Sequence, residues 1–385
     1  MTKRYVWLVA MLLVLVLVLA GCGKSSKSVP TTTPTPMITA TSMPTPTPVS
    51  EPSSTSAITP IETVLESIYT QVNPSVVNIH VIESGGEGLA SGFVWDEEGH
   101  IATNNHVVDG ANSITVTFSD GTIAPAQVVG TDPDSDLAVV KVDVAASELH
   151  PVQLADSTQA KVGQLAVAIG NPFGLQGTMT VGFISALGRL LPVDSGTSGG
   201  PSYNIPDIIQ TDASINPGNS GGVLVDDNDH IIGVPSAIIS PAGTSAGIGF
   251  AIPSVIVQRV VPALITTGHY EHSYLGISGT SLDSELAKAM ELTPDQRGAL
   301  VVDVVANGPA AKAGLHGGNR QVTINGKQMT VGGDVITSVD GKQVKGFDDL
   351  ITYLARSTDV GQKITLTILR QGKEETVEVT LASRP

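Results

Sequence analysis

Gly218-Asn219-Ser220-Gly221-Gly222 is the stretch of sequence that decides the fold. A serine among glycines suits a tight turn that exposes its hydroxyl beside backbone N–H groups, which is the geometry of a nucleophile with an oxyanion hole. Upstream, His106 and Asp136 each lie at the edge of an apolar, β-like run. The sequence therefore predicts a catalytic triad of His106, Asp136 and Ser220.

The order of these three residues along the chain indicates the fold. His, Asp, Ser is the order in chymotrypsin, whereas subtilisins and α/β-hydrolases use other orders. Short β-like runs, with glycine, aspartate and asparagine at the turns, fill the segments from Val76 to Val142 and from Gln164 to Ala251. Such runs suit antiparallel barrels. We therefore predict a mainly β fold, a chymotrypsin-like double β-barrel, with His106 and Asp136 on the first barrel and Ser220 on the second.

The candidate nucleophile has one serious rival in the sequence. Ser198 lies in Gly196-Thr197-Ser198-Gly199-Gly200-Pro201, which differs by one residue from the Gly-Asp-Ser-Gly-Gly-Pro signature of trypsin-like enzymes. It belongs to a polar loop, Pro192 to Pro206, with no strand directly after it. Ser220 is followed by Val223 to Val225 and then by Ile231 to Val234, a predicted hairpin that can hold a strained turn. These flanking strands favour Ser220.

The other two triad positions also have rivals. Asp132 and Asp134 lie in the same turn-rich segment as Asp136, but only Asp136 directly precedes the apolar run that begins at Leu137. Seven other histidines are present, and the pair His269 and His272 lacks a third ligand that would indicate a metal site. We predict no metal and no cofactor.

Four motifs give the chain a family resemblance. It resembles the HtrA (DegP/DegQ) family of serine proteases through Thr103 to Val107, Asp136 to Lys141, Thr211 to Gly222 and Gly247 to Pro253. The resemblance implies a serine endopeptidase that cleaves unfolded or damaged proteins and that assembles as a homotrimer. Backbone N–H groups of Gly218 and Ser220 are expected to form the oxyanion hole, with Asn219 as a third candidate donor. The resemblance assigns the first substrate pocket to Ile215, Ser236, Ala237, Ile238 and Ile239.

The pocket position six residues before the nucleophile bears on specificity. Trypsin-like enzymes carry an aspartate there and bind lysine or arginine, whereas this chain has Ser214. We therefore expect cleavage after small or medium aliphatic residues.

The C-terminal part of the chain resembles a PDZ domain of the HtrA type. The resemblance rests on Tyr274-Leu275-Gly276-Ile277, on Gly308 to Leu315 and on Gly332 to Ile336. One helix face is indicated by helical spacing of Phe347, Leu350, Ile351 and Leu354. A PDZ domain adds a peptide C-terminus as a strand beside such a helix, while loop amides receive the carboxylate. The candidate peptide-binding residues are therefore Tyr274, Leu275, Gly276, Ile277, Phe347, Leu350, Ile351 and Leu354.

Two further segments belong to this expected regulatory apparatus. Family members couple peptide binding to protease activation through a loop before the nucleophile, and Leu190 to Pro206 is the matching segment. The segment from Gly268 to His272 is expected to be a hinge between the domains. Residues 316–331 are expected to form a hairpin insertion, because Asn325-Gly326 is typical of a type I′ turn.

The start of the chain predicts where the chemistry takes place. Lys3 and Arg4 precede the uncharged run Val6 to Ala20, a pattern typical of a secretory signal. Leu19-Ala20-Gly21-Cys22 resembles a bacterial lipobox, which implies lipidation of Cys22 and an extracytoplasmic protein anchored to the cell membrane. An uncleaved signal anchor and an ordinary cleaved signal are alternatives, and both also predict export.

Composition limits the other partners. The formal net charge of −16 argues against a nucleic-acid partner, because phosphate binding needs clustered lysine and arginine. Cys22 is the only cysteine, so an intrachain disulfide is excluded. The predicted domains are a signal peptide at 1–22, a Thr/Pro/Ser-rich disordered tether at 23–60, a protease domain at 61–268 and a PDZ domain at 270–385.

Two other classes of function compete with the protease. A catalytically silent PDZ-containing module could bind misfolded C-termini, and a surface adhesin could be displayed on a stalk. The complete triad argues against the first, and the compact PDZ motifs argue against the second.

Overall fold

The computed structural model describes residues 59–171, 177–193, 203–236 and 247–385. Cys22, the tether up to residue 58, Ser198 and the pocket residues 237–239 lie outside the described residues. Within those ranges, no helix has both the length and the apolar character that crossing a membrane requires.

A closed six-stranded barrel forms the first part of the described chain. It follows helix α1 (Thr59–Val72) and has the strand order β1-β2-β3-β6-β5-β4. Its elements are β1 (Val76–Glu83), β2 (Gly86–Val94), β3 (His100–Thr103), α2 (Asn105–Val108), β4 (Ala111–Thr117), β5 (Ile123–Asp132) and β6 (Leu137–Val142). Successive side chains of β6 enter two different cores, as the two-residue period of a strand requires. Leu137 and Val139 pack between the barrels, and Ala138 and Val140 fill the barrel interior.

A second closed barrel follows, with the order β10-β11-β12-β9-β8-β7. Its strands are β7 (Leu165–Gly170), β8 (Thr178–Val193), β9 (Tyr203–Thr211), β10 (Val223–Val225), β11 (Ile231–Pro235) and β12 (Gly249–Pro253). Strand β10 divides its side chains as β6 does, because Val223 and Val225 enter the core between the barrels and Leu224 enters the barrel core. The predicted mainly β double barrel is confirmed.

Strands β8 and β9 extend further than the sequence predicts. The expected polar loop from Pro192 to Pro206 is partly strand, because Leu191 pairs with Ile205 and the two strands continue to Val193 and Tyr203. The register between β8 and β9 shifts at three places, between Ile184 and Leu191. The β8–β9 hairpin is therefore long and bulged.

Helix α3 (Ser254–Thr267) packs against both barrels and ends at Gly268, whose φ of 79° closes the helix in the left-handed conformation. The segment after it, predicted to be a hinge, is bonded to its surroundings. Thr131 N–H donates to the Gly268 carbonyl (3.3 Å), and the guanidinium of Arg259 donates to the Tyr270 hydroxyl (3.3 Å). His272 contacts Asp132 on the first barrel. These contacts hold the two ends of the segment to the first barrel and Tyr270 to α3, and its role as a hinge stays a prediction.

The C-terminal domain is an α+β unit built on the strand order β14-β15-β18-β20-β21. Its strands are β13 (Ser273–Tyr274), β14 (Ile277–Ser281), β15 (Ala299–Val304), β16 (Arg320–Ile324), β17 (Lys327–Val331), β18 (Val335–Val339), β19 (Lys342–Gln343), β20 (Lys363–Arg370), β21 (Lys373–Thr380) and β22 (Ala382–Ser383). Its helices are α4 (Ser284–Ala289), α5 (Pro309–Lys312) and α6 (Phe347–Ser357). Strand β14 is an edge of the sheet and lies beside α6.

A separate two-stranded hairpin, β16 and β17, lies in the segment expected to be an insertion. Its turn residues, Asn325 and Gly326, have φ values of 50° and 78°. Positive φ at both central positions is the mark of a type I′ turn.

Candidate active site and peptide groove

His106 and Asp136 lie in direct contact. The Nδ1 atom of His106 is 2.9 Å from each carboxylate oxygen of Asp136, and the His106 backbone N–H donates to Oδ1 (3.0 Å). Val107 and Val108, next in α2, are buried in the first barrel and hold this short helix in place. A proton on Nδ1 that donates to the carboxylate leaves Nε2 as an acceptor in the neutral ring. This tautomer is the one that a general base requires.

Asp136 is held in an uncommon backbone conformation. Its φ is 54°, the left-handed region that aspartate tolerates better than most residues. The Asn104 side-chain amide donates to its carbonyl (2.9 Å), and the next residue begins β6. The carboxylate is 4% exposed, so its orientation is set by the protein and not by solvent.

Ser236 forms a hydrogen bond with the Asp136 carboxylate. Its Oγ donates to Oδ2 of Asp136 (2.8 Å), and the residue is 1% exposed. The sequence assigned Ser236 to the wall of the first pocket. Its side chain is bonded to the candidate triad, and a place for its backbone in the pocket stays a prediction.

Ser220 lies just before β10 and is 5% exposed. Gly221 after it has a φ of 79°, and a Cβ there would lie 2.2 Å from the carbonyl oxygen of Ser91 and from Oγ1 of Thr103. A Cβ on Gly222 would lie 2.5 Å from the Ile169 carbonyl oxygen. Only glycine fits these two places, so the glycines of the opening motif let the two barrels close tightly behind the serine.

One of the three expected oxyanion donors is already hydrogen-bonded within its own turn. The Asn219 N–H donates to the Asn216 carbonyl (3.0 Å) and closes a turn. Asn219 is therefore not a backbone donor to an oxyanion, which corrects its assignment. The N–H groups of Gly218 and Ser220, on either side of it, stay as candidates.

The first-pocket residues are only partly described. Ile215 is 6% exposed and packs in the core of the second barrel, where a Cβ on Gly249 would lie 2.5 Å from it. The carbonyl of Ser214 accepts from the Thr180 hydroxyl (3.0 Å). Ala237, Ile238 and Ile239 lie outside the described residues, as does the rival nucleophile Ser198.

The rival aspartates have other partners. Both Asp132 oxygens contact Nε2 of His272 (3.0 and 2.8 Å), and Asp134 accepts from Arg384 (2.9 Å). His269 contacts the Thr267 carbonyl through Nδ1 (3.1 Å). The two histidines that could form a metal pair are thus engaged separately.

One other cluster has the composition of a metal site. Among the described residues, Asp96, Glu98 and His100 place one possible ligand atom each within 4.8 Å of one another. Burial acts to raise the pKa of Asp96, but hydrogen bonds from His100 outweigh it and hold the pKa below its usual range. Asp96 already accepts from the backbone of the same turn, so the cluster is explained as a turn between β2 and β3.

A groove of about 380 Å³ runs between β14 and α6. Most of the predicted peptide-binding residues line it, namely Tyr274, Leu275, Gly276, Ile277, Phe347, Ile351 and Leu354. Leu350 does not, because its side chain is fully buried in the core of the domain. Its assignment to the groove is corrected accordingly.

Two residues of the second barrel complete the groove wall. Leu190 of β8 and Pro206 of β9, both from the segment expected to be regulatory, line the same cavity. Nearby, Arg356 of α6 makes a two-point ion pair with Asp207 of β9 through Nε and Nη2. The β8–β9 hairpin therefore contacts the helix that borders the groove.

The sequence reasoning missed some residues of this site. Ser91 and Thr103, on β2 and β3, contact the nucleophile loop. Ser91 is one serine within a predicted strand, and its partner Gly218 is 127 residues away along the chain. No local pattern marks such a contact.

The chain matches two protein-family models. Residues 90–234 match the trypsin-like peptidase domain, and residues 273–381 match the PDZ domain. The chain is 42% identical over 306 residues to Protease Do-like 1, chloroplastic, from Arabidopsis thaliana, covering 78% of this chain. It is 42% identical over 328 residues to the periplasmic serine endoprotease DegP of Salmonella typhimurium, covering 82% of this chain. It spans 64% of the length of each of these relatives.

Solved structures show the same family similarity, and here the match covers nearly the whole length of the compared protein. The HtrA-type protease AlgW with a tripeptide is 36% identical, with a TM-score of 0.66, and the match covers 83% of this chain and 97% of that one. The match therefore extends over most of this chain and nearly all of that one. On this sequence and structural similarity, the chain belongs to the HtrA family of trypsin-like serine proteases that carry a PDZ domain.

Proposed function

We propose that the chain is an extracytoplasmic serine endopeptidase that cleaves unfolded or damaged proteins. The observation that carries the proposal is the two-oxygen contact between Asp136 and Nδ1 of His106, in a family of serine proteases. Ser220, three residues before β10 and followed by two glycines, supplies the nucleophile.

The proposed reaction proceeds through an acyl-enzyme. Nε2 of His106 takes the proton of the Ser220 hydroxyl as Oγ bonds to the peptide carbonyl carbon, and Asp136 stabilises the resulting imidazolium. The carbon–nitrogen bond then breaks, and His106 returns the proton to the leaving amine. Water, activated by the same histidine, hydrolyses the ester. N–H groups of Gly218 and Ser220 stabilise the tetrahedral oxyanion, and losing one such donor lowers turnover by roughly 100- to 1,000-fold.

Substrate choice follows from the absence of a carboxylate at the expected pocket base. Ser214 stands at that position, and the neighbouring Ile215 and Ala213 are apolar. We expect cleavage after valine, alanine or isoleucine. Mass-spectrometric mapping of casein fragments tests this, and a map dominated by cleavage after lysine or arginine contradicts it.

The groove between β14 and α6 is proposed to bind peptide C-termini and to regulate the protease. A peptide can add to the open edge of β14, with its carboxylate near Tyr274 to Ile277 and its apolar side chains toward Ile351 and Leu354. Leu190 and Pro206 line the same cavity, which supports coupling through the β8–β9 hairpin. A hydrophobic C-terminal peptide is expected to raise the rate of casein cleavage.

Attachment and assembly are further proposals. The lipobox at Cys22 supports a lipid anchor on the outer face of the cell membrane, with the other two export routes as alternatives. Partition of the wild-type protein into detergent, lost in Cys22→Ser, is the test. We also propose a homotrimer, on the family resemblance, to be measured by analytical ultracentrifugation.

The decisive experiment identifies the nucleophile. Casein turnover by the purified protein is compared with that of Ser220→Ala and Ser198→Ala, and a fluorophosphonate probe is mapped by peptide sequencing. We expect label on Ser220 and loss of activity in Ser220→Ala alone. Loss in Ser198→Ala alone would move the nucleophile to the rival serine. Absence of activity and label with peptide binding intact would favour the catalytically silent PDZ-containing binding module.

A further inference from the structure

The peptide group between Gly218 and Asn219 is fixed at both of its polar ends. Its N–H, on Asn219, donates to the Asn216 carbonyl (3.0 Å). Its carbonyl, on Gly218, accepts from Oγ of Ser91 (2.5 Å). Gly218 has a φ of 101°, so this peptide plane joins a glycine in the left-handed region to the nucleophile loop. The two candidate oxyanion donors, Gly218 and Ser220, lie on either side of it.

Ser91 is built into the interface between the barrels. It lies on β2 of the first barrel and is fully buried. Its backbone N–H donates to the Ser220 carbonyl (2.9 Å), and its Oγ accepts from the Asn171 N–H (2.8 Å). Because a hydroxyl has one proton and Asn171 donates to it, the proton of Ser91 is directed to the Gly218 carbonyl. One side chain of the first barrel therefore orients the nucleophile loop of the second.

We propose that Ser91 is a positioning residue for catalysis, which fixes the Gly218–Asn219 peptide so that the N–H groups of Gly218 and Ser220 face the developing oxyanion. This inference rests on the proposed function. Without the hydroxyl, the buried Gly218 carbonyl loses its partner. A glycine can rotate its ψ angle at little cost, so this peptide is the group expected to turn. Rotation would carry the adjacent donors away from the oxyanion, which weakens the transition state more than it weakens substrate binding.

The test is Ser91→Ala, which removes only the hydroxyl. We expect kcat to fall by about 10- to 100-fold while KM changes less than about twofold, because the interaction is needed in the transition state alone. A peptide boronate, whose tetrahedral adduct places an oxygen in the oxyanion hole, is expected to lose affinity by a similar factor. Ser91→Cys keeps a weak donor at the same place, and its kcat is expected to lie between those of the other two proteins.

Ser157→Ala is the matched control. Ser157 is also buried, and its Oγ accepts from the backbone N–H of Val255 (3.1 Å) at the start of α3. We expect this variant to lose stability and to keep its kcat per folded molecule. If Ser91→Ala does not fold, the same three measurements are made on Ser91→Cys. The inference is overturned if a folded Ser91 variant keeps a kcat within about twofold of the wild-type value. It is also overturned if the Ser91 variant and Ser157→Ala lose kcat by the same factor.

The two proposals fail in different ways. Activity that survives in Ser220→Ala refutes the proposed nucleophile. Loss of activity in Ser220→Ala, together with full turnover in a folded Ser91 variant, refutes only the role of Ser91.

Discussion

Replacing Arg356 with leucine should loosen the contact between the PDZ domain and the second barrel. Arg356 on α6 pairs at two points with Asp207 on β9, whose side chain is fully buried. Burial raises the pKa of Asp207, and the guanidinium of Arg356 opposes that rise. Arg356→Leu therefore leaves a buried carboxylate without its cation.

The expected loss is about 3 kcal/mol, the lower end of the range for breaking a buried pair, because Arg356 is partly open to water. A loss of that size corresponds to about a hundredfold faster hydrogen exchange, if the backbone amides of α6 exchange through local opening. Mass spectrometry of peptides from α6 and β9 measures it. The control is Lys363→Ala, which breaks an exposed pair with Glu378 and should change stability by under about 1 kcal/mol.

The folding stability of Arg356→Leu is also expected to depend on pH. Its Asp207 is expected to have a folded-state pKa further above the unfolded value than in the wild type, so the folded state binds the proton more tightly. Stability is then present at low pH and is lost as the pH rises through the folded-state pKa. Urea unfolding midpoints of Arg356→Leu should therefore recover toward the wild-type value as the pH falls from neutral through the folded-state pKa of Asp207.

The double variant Asp207→Asn/Arg356→Leu removes the buried charge, and asparagine tolerates the positive φ of 68° at position 207. It should be more stable than Arg356→Leu at neutral pH and should lack the recovery in acid. Equal exchange of α6 in Arg356→Leu and the wild type, or a double variant no more stable than the single one, would refute the reasoning.

Three further substitutions test the site and the groove. Gly221→Ala places a methyl group against oxygens 2.2 Å away at positive φ. It should abolish casein turnover, whereas Gly121→Ala, with positive φ in open space, should keep it. Ser236→Ala removes one hydrogen bond to the candidate orienting carboxylate and should lower kcat by about tenfold with little change in KM. Ile351→Ala should weaken binding of a fluorescent C-terminal peptide without unfolding the domain, and Leu350→Ala should instead cost about 2–5 kcal/mol in a denaturation assay. Normal peptide affinity in Ile351→Ala would contradict the assigned groove.

The double barrel could be predicted from the sequence because its strands carry a local signal. In β6 and β10, apolar residues follow directly on Asp136 and on the glycines after Ser220, so pattern and motif reinforce each other. The contact of His106 with Asp136 was predicted because both lie at strand or helix edges of one barrel. These features depend on a few neighbouring residues.

What the sequence did not predict depends on contacts between distant segments. Ser91 acts on Gly218 across the two barrels, and the side chain of Ser236 bonds to Asp136. Leu350 and Ile351 are adjacent on one predicted helix face, yet one enters the core and the other lines the groove, because the domain packs against only part of that face. The bonds that tie the segment from Gly268 to His272 to the barrels are equally non-local.

The bulged β8–β9 hairpin has a consequence for protein engineering. A residue gained or lost at a bulge is absorbed there, whereas in a regular strand it would turn every later side chain to the opposite face. The stretch between Ile184 and Leu191, where the register shifts, is therefore a place where segments from relatives of different length can be grafted into chimeras. The graft must keep Leu191 opposite Ile205, since that pair carries the new segment back into the barrel.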